Sequence, residues 1–366
     1  MTLLHFFRKI LMIKFFILFC LFFTFNLKSS EQFYRFDPHH GEFTRQLKEY
    51  FLPVYNEGRM QIYRKKNHIR EKEIPKNLLN HLLKIKKKGW KIIRPHQLQK
   101  TSIPYPSILL KISEISSSNI LDHLKLMTGK ESRFSGSLGN KETTRYIENI
   151  LKSYNFKTTK SCFRPDVCNI WGSLSGERDE YILIEAHFDS VGKLYAGADD
   201  NASGMAVLLE LARILSSKKN KRGLIIFATN GEESGLLGSK SFVKEAQISG
   251  LLSKISFFIN MDMISWNENG IVDIETDHQF ENHARWMSTL VNTYTSLKPE
   301  ITMPAWGSDH VPFLRKGIPG VLTIEHWKTK TPCYHKRCDT LDKLNISYLI
   351  EIAKLNLAAA ISKLNP

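Results

Sequence analysis

One stretch, residues 181–204 with the sequence YILIEAHFDSVGKLYAGADDNASG, constrains the fold of this chain more than any other. Its first half is a short apolar run bounded by turn residues, which is typical of a buried strand in a parallel sheet. Ligands of such sheets bind just beyond the carboxyl ends of the strands. His187 and Asp189 stand at that end and point the same way, so Asp189 can accept a hydrogen bond from one ring nitrogen of His187. Taken alone, the pair is more typical of an ordinary strand end with a solvated histidine.

Acidic residues recur at the ends of the apolar segments that follow. Asp200 lies in GADDNASG, just before a predicted helix over residues 202–217. The apolar run GLIIFATN leads into Glu232 and Glu233, and the run ISFFINMDMIS carries Asp262. Carboxylates delivered to the ends of buried strands cost free energy unless a cation neutralises them. The pattern therefore indicates a metal site.

Six segments carry a resemblance to a known family: AHFDS, GADDNASG, NGEESGLLGS, NMDMIS, SDHVPFLRKGIP and CYHKRCDTLDKLN. Their order and spacing resemble those of the secreted double-zinc aminopeptidases, peptidase family twenty-eight, which also contains glutamate carboxypeptidase and is related to glutaminyl cyclase. The resemblance covers roughly residues 120–366. It implies a three-layer α/β/α zinc-exopeptidase fold with a mixed, mostly parallel central sheet. Strands and helices that alternate through Ser265 favour the same α/β class.

The resemblance also implies two Zn²⁺ ions and five ligands. Asp200 would bridge the two metals, which repel each other at short range and need a carboxylate between them. One metal would be completed by His187 and Asp262, and the other by Glu233 and His335.

SDHVPF offers a competing histidine, His310, but the resembled enzymes bind metal through the histidine of the later Cys-Tyr-His segment. Asp189, Asp309 and His310 are therefore expected beside the ligands rather than on the metal. The ligand on that side is expected to be His335.

Two residues are expected to act on the substrate. The side chains of Glu232 and Glu233 diverge because they are adjacent, so Glu232 is free to serve as general base, the role that the first glutamate of the pair has in the family. Tyr334 corresponds to a phenol that relatives use to stabilise the tetrahedral oxyanion. The alternative for Tyr334 is simple packing within the ring closed by Cys333 and Cys338.

Cysteines and charge divide the chain. A disulfide between Cys333 and Cys338 is expected from the resembled enzymes, whereas Cys162 and Cys168 are either bridged or free thiols. The net charge of +16 is concentrated near the start, because residues 31–111 carry 18 Lys and Arg against 7 Asp and Glu.

We predict three parts: a signal peptide or membrane anchor over 1–30, a basic accessory or pro-segment over 31–114, and a catalytic domain over 115–366. The first part contains the apolar run FFILFCLFFTFNL, which is short for a bilayer span and fits a signal peptide. The protein is accordingly expected to be secreted or periplasmic, and membrane-bound only if this segment is retained. The second part is expected to be a solvated helical pro-segment or an accessory layer, and it lacks the aromatic spacing of a nucleic-acid platform.

The predicted function is that of an exported metallo-exopeptidase acting on peptides with a free N-terminus. One alternative is a glutaminyl cyclase-like aminoacyltransferase with one zinc, although the intact DNASG and GEESGLLGS segments disfavour it. Another is a carboxypeptidase or dipeptidase of the same family. Relatives of that kind recognise the substrate carboxylate with arginines on inserted segments, which we do not find in the sequence.

Overall fold

The computed structural model describes residues 33–36, 44–57, 60–66, 68–75, 82–85, 91–129, 132–217 and 219–366. The chain divides into two compact units, Met1–Gly89 and Trp90–Pro366. The predicted signal peptide or anchor, residues 1–30, lies outside the described residues. Within the part of the chain that is described, no helix has the length and apolar character needed to cross a membrane.

The smaller unit contains an antiparallel sheet. Its elements are β1 (Phe33–Phe36), α1 (Thr44–Tyr50), β2 (Phe51–Glu57), β3 (Met60–Lys65) and β4 (Leu82–Ile85). The strand order is β2-β3-β1-β4, and all three pairings are antiparallel. The expectation of a helical pro-segment is therefore wrong for these residues, whereas the alternative of an accessory layer stays a prediction. FYRF and MQIYRK contain aromatic residues, and the second also contains a β-branched isoleucine, and both residue types favour strands.

The larger unit is built on a nine-stranded mixed sheet. Its strands are β5 (Lys91–Ile93), β6 (Lys157–Arg164), β7 (Val167–Leu174), β8 (Tyr181–His187), β9 (Gly223–Thr229), β10 (Ile255–Met261), β11 (Ile271–Glu275), β12 (Lys298–Met303) and β13 (Gly320–Glu325). The order is β5-β12-β11-β13-β10-β8-β9-β7-β6. The four central strands, β13, β10, β8 and β9, run parallel, and the outer strands are mostly antiparallel to their neighbours. β5 pairs with β12, so this unit begins ahead of residue 115.

Helices cover both faces of this sheet. They are α2 (Pro106–Ile112), α3 (Ser117–Thr128), α4 (Leu138–Ser153), α5 (Gly204–Leu215), α6 (Leu237–Ile248), α7 (Glu281–Tyr294), α8 (His310–Leu314) and α9 (Ile346–Leu364). One apolar core joins the sheet to α2, α3, α4, α5, α7 and α9, and a second joins the other face to α6 and α8. The central strands read as continuous apolar runs because both of their faces are covered. The predicted three-layer α/β/α fold with a mixed sheet is thereby confirmed.

Candidate metal centre

The carboxyl ends of β8, β9 and β10 meet at one edge of the sheet, because these three strands run parallel side by side. β8 ends at His187, and β10 ends immediately before Asp262. The segment after β9 carries Glu232 and Glu233. Asp200 lies in a short π-type turn, Ala198–Ser203, directly before α5. Four segments that carry candidate ligands or the candidate general base therefore reach the same edge.

The first group of candidate ligands consists of His187, Asp200 and Asp262. The His187 Nε2 atom lies 3.3 Å from Asp200 Oδ1 and 3.3 Å from Asp262 Oδ1. All three residues are buried. These three ligand atoms lie close enough together to hold one ion.

The second group consists of Asp200, Glu233 and His335. The His335 Nε2 atom lies 3.2 Å from Asp200 Oδ2 and 3.0 Å from Glu233 Oε2. Asp200 thus presents Oδ1 to one histidine and Oδ2 to the other. A carboxylate in that position can bind two ions at once.

The donor set fits zinc. Nitrogen and oxygen ligands at about 2.0–2.2 Å from a tetrahedral ion lie about 3.3–3.6 Å from one another, close to the separations found here. Two imidazoles and three carboxylates are ligands that zinc accepts. The Glu233 Oε1 atom is buried and has no hydrogen-bond partner among the described residues, so it is available to an ion.

The electrostatics of the site attract cations. Burial alone would lower the pKa of His335, but the carboxylates of Glu233 and Asp200 raise it to about 11. Burial likewise opposes the charged form of His187, yet Asp262, Asp189 and Asp200 raise its pKa well above the ordinary value. A divalent cation would compete with these protons for the same imidazole nitrogens.

Asp189 and Glu232 lie beside the two groups. Asp189 accepts hydrogen bonds from the backbone N–H groups of Glu232 (3.1 Å) and Glu233 (3.3 Å), so it fixes the turn that carries both glutamates. Its carboxylate lies 3.6 Å from His187 Nδ1, and that ring nitrogen is nearer to the backbone carbonyl of Asp189, at 3.2 Å. Burial raises the pKa of Glu232 well above its ordinary value, and the negative charge of Glu233 adds to the effect of burial while His187 opposes it.

A family model matches residues 169–360, just over half of the chain, under the description Peptidase family M28. This chain belongs to peptidase family M28. A glutamate carboxypeptidase 2 homolog of Caenorhabditis elegans is 34% identical over 233 residues, which are 51% of this chain and 30% of that protein. A probable leucine aminopeptidase of Trichophyton verrucosum is 26% identical over 269 residues, which are 67% of this chain and 73% of that protein. The chain therefore spans less than a third of the first relative.

Solved structures share the fold of this M28 chain. The Legionella pneumophila LapA aminopeptidase superposes with a TM-score of 0.68 at 18% identity, covering 92% of this chain and 98% of the other. BSAP, a zinc aminopeptidase from Bacillus subtilis, gives a TM-score of 0.61 at 16% identity, covering 69% and 96%. At these identities the likeness shows the three-layer fold alone.

Sequence reasoning missed Asp339, which holds the backbone at the centre of the M28 site. Its Oδ1 and Oδ2 atoms accept hydrogen bonds from the backbone N–H groups of Asp199 (2.8 Å) and Asp200 (3.1 Å). Asp339 lies in CYHKRCDTLDKLN, one of the segments that carry the resemblance, but nothing in its spacing indicates that its partners lie about 140 residues earlier.

Tyr334 and His335 lie inside a disulfide ring. The expected bond between Cys333 and Cys338 is present. The Tyr334 ring stacks on the His335 ring, with centroids 4.0 Å apart, and meets Trp327 edge to face at 5.2 Å. Packing thus orients both the phenol and the imidazole.

The other two cysteines are also bridged. Cys162 and Cys168 are cross-strand partners in β6 and β7, which brings their sulfur atoms together. The alternative of free thiols is therefore wrong for this pair. This bridge lies on an edge strand of the sheet, outside both ligand groups.

Asp309 and His310 belong to neither ligand group. Asp309 accepts a hydrogen bond from the Ser239 hydroxyl of α6, and His310 Nε2 lies 3.3 Å from Glu275 Oε1. Both residues are fully buried. His310 is thus engaged with Glu275, whereas His335 faces Asp200 and Glu233.

Proposed function

We propose that the protein is a zinc-dependent exopeptidase that hydrolyses the N-terminal peptide bond of peptides. The observation that carries the proposal is the position of Asp200, whose two oxygen atoms face two different groups of ligands. Membership of family M28 supports a hydrolase of peptide bonds, and relatives named as aminopeptidases support the N-terminal specificity.

Five residues would hold two Zn²⁺ ions. His187 and Asp262 would bind on one side, Glu233 and His335 on the other, and Asp200 between them. Zinc bound in this way polarises a carbonyl group and lowers the pKa of water, so that a nucleophile is available near neutral pH.

Glu232 would carry the proton. Its carboxylate would accept a proton from the attacking water and return it to the nitrogen of the departing amine. The role suits its surroundings, because burial raises the pKa of Glu232 well above its ordinary value and so makes the carboxylate a stronger proton acceptor.

Tyr334 would stabilise the negative charge that develops on the carbonyl oxygen, by donating a hydrogen bond from its phenol. Stacking against His335 and Trp327 supports this role, because a donor held in place costs little reorganisation during the reaction. Asp309 and His310 would support the site without binding metal.

We further propose that the protein acts outside the cytoplasm. Two disulfides persist most readily in an oxidising compartment, and residues 1–30 have the composition of an export signal. Residues 31–89, which precede the unit that carries the site, would then accompany the catalytic domain as a basic accessory segment.

A carboxypeptidase is the second candidate, because the more similar of the two sequence relatives described above is a glutamate carboxypeptidase 2 homolog.

One panel assay separates the candidates. The purified protein is given aminoacyl-anilides, acyl-blocked peptides with a free carboxylate, and N-terminal glutaminyl peptides, each with and without a chelator. We expect chelator-sensitive release of amino acids from the aminoacyl-anilides and of free glutamine from the glutaminyl peptides, while the acyl-blocked peptides stay intact. Turnover of only the acyl-blocked peptides, or cyclisation of the glutaminyl peptides without release of glutamine, would overturn the proposal.

A further inference from the structure

A buried arginine, Arg133, lies against the loop that joins β8 to the turn carrying Asp200. The residue is fully buried, and it belongs to the segment SRFSGS between α3 and α4. Every hydrogen bond that its guanidinium donates within the described residues goes to a backbone carbonyl. Burying a charge costs free energy unless hydrogen bonds compensate it. Here the backbone carbonyls supply those bonds, so the guanidinium and this backbone stabilise each other.

Three of the four carbonyls mark the two ends of the loop. Nε donates to Phe188 (2.8 Å), at the start of the loop and next to His187. Nη1 donates to Ala196 (2.5 Å) and Nη2 to Gly197 (2.8 Å), at the end of the loop and just before Asp200. The fourth bond, from Nη1 to Met127 (3.2 Å), anchors the guanidinium to α3.

The carboxylate of Asp339 binds the same stretch of backbone through its N–H groups. Asp339 binds the N–H groups of Asp199 and Asp200, while Arg133 binds the carbonyls a few residues earlier. Burial lowers the pKa of Arg133 to about 10, an effect that the Asp339 carboxylate opposes, so the guanidinium stays charged at neutral pH. The backbone before Asp200 is thus fixed between opposite charges.

Gly197 shows how closely the loop approaches the guanidinium. Its φ of +59° lies in the left-handed region that favours glycine. A Cβ atom at this position would lie 3.1 Å from Arg133 Nη2 and 2.4 Å from the backbone oxygen of Asp200. The backbone oxygen of Asp200 therefore excludes a side chain at this position, and the guanidinium lies in tight contact beside it.

We propose that Arg133 is a positioning residue that, together with Asp339, fixes the separation of His187 and Asp200 before any metal binds. The planar guanidinium is suited to this task because it presents five N–H donors in a fixed fork. A lysine carries its donors on a single atom and cannot span four carbonyls. The purpose of the fixed separation, zinc binding, rests on the proposed function, whereas the fixed separation itself does not.

Hydrogen exchange of the wild-type protein tests the preorganisation directly. Amide exchange of the peptide spanning residues 196–202 is measured by mass spectrometry before and after removal of metal with a chelator. We expect the exchange rate to change by less than about tenfold, because the clamp of Arg133 and Asp339 stays in place. An increase of about a hundredfold or more would show that metal holds the loop, and would overturn the inference.

A substitution tests the consequence for metal binding and catalysis. Arg133→Lys keeps the charge and removes the fork, so we expect zinc affinity to fall about 10–100-fold, as when partners that orient ligands are removed. The kcat at limiting zinc should fall with it, while KM stays within about threefold, because Arg133 does not touch substrate. Unchanged zinc affinity in the folded variant would contradict the role.

Arg213→Lys is the matched control. Arg213 pairs with Glu210 and donates to the Glu114 carbonyl near the far end of α5, so its loss should leave zinc affinity unchanged. Failure of the proposed function can be told apart from failure of this inference. A wild-type protein that lacks peptidase activity would still show the same amide exchange with and without metal. The exchange measurement, which needs no variant, also decides the inference if Arg133→Lys does not fold.

Discussion

The two ligand groups of the candidate metal centre have different supports. His187 is the last residue of β8 and Asp262 directly follows β10, and their side chains are 1% and 5% exposed. Glu233 and His335 lie on loops, and the His335 side chain is 20% exposed. His335 also has a φ of +53°, a conformation that costs free energy for any residue except glycine. The sheet thus holds one half of the site, whereas loop contacts and a disulfide hold the other.

This difference in support indicates which ligands a mutation displaces more easily. A ligand at a strand end is fixed by the same apolar packing that holds the sheet together. A ligand on a loop keeps its position only through local contacts, here the disulfide ring and stacking on Tyr334. We therefore expect perturbations of the loops to weaken the His335 half first.

Loss of the shared ligand should have the largest effect, because Asp200 contributes an oxygen atom to both halves of the site. Asp200→Asn replaces one of the two carboxylate oxygens by an NH₂ group that cannot bind metal. We expect both ions to bind weakly and turnover to fall to the limit of detection. Zinc content by mass spectrometry and initial rates check this. Retention of two tightly bound ions by the variant would contradict the bridging role.

Removal of the proposed proton carrier should leave both halves intact. For Glu232→Gln we expect full zinc content with turnover reduced by about 10²–10⁴-fold, the usual contribution of a positioned acid–base group. Glu233→Gln is the paired comparison, and it should lose metal as well as rate. A Glu232→Gln enzyme with a near wild-type rate would show that Glu232 is not the general base.

Removal of the disulfide between Cys333 and Cys338 should weaken zinc binding in one half of the site and not in the other. In the double variant Cys333→Ala/Cys338→Ala we expect zinc affinity of the His335 half to fall about 10–100-fold, with the other half unchanged. Titration with zinc should then show one tight and one weak ion. The matched control is Cys162→Ala/Cys168→Ala, which removes a bridge of similar span outside both ligand groups and should leave zinc binding unchanged. Equal behaviour of the two double variants would refute the comparison.

The smallest expected effect is a pH dependence of the metal-free protein. The folded-state pKa values of His335 (about 11) and Glu233 (about 7) both lie above their ordinary values. The stability that His335 contributes as a cation is complete below its unfolded pKa of about 6.5, and it is lost as the pH rises toward 11. Protonated Glu233 likewise favours the folded state until the pH passes 7.

We therefore expect the Tm of the chelated protein to fall by several degrees between pH 6 and pH 10. The zinc-loaded protein should change less, because metal replaces the protons on both residues. Thermal unfolding followed by circular dichroism, with and without chelator, measures the difference. A Tm of the chelated protein that rises over this range would have the wrong sign.

The sequence predicts the sheet-borne half of the site from physical pattern. Apolar runs ending in His187 and Asp262 identify buried strands, and parallel strands place their carboxyl ends at one edge. The loop-borne half depends on resemblance, because nothing local to His335 distinguishes it from His310 as a ligand. The structure separates the two histidines by their partners, Glu275 for His310 and Asp200 for His335.

Other features have no local signal. Arg133 and Asp339 bind backbone groups that are between 55 and 140 residues away in sequence, apart from the Met127 carbonyl, and such contacts leave no periodicity to read. The four-stranded sheet of the smaller unit lies in a strongly basic part of the sequence, and such a charge pattern is typical of a solvated surface. Its strands are short, between four and seven residues, and FYRF and MQIYRK do not alternate regularly between apolar and polar side chains, so periodicity does not identify them.

The central claim, that Asp200 binds two ions at once, is tested most directly by anomalous diffraction from crystals of the zinc-loaded protein at the zinc absorption edge. We predict two peaks about 3.5–4 Å apart, one on each side of the Asp200 carboxylate, the spacing of two-metal sites. A single peak, or two peaks without Asp200 between them, would contradict the account.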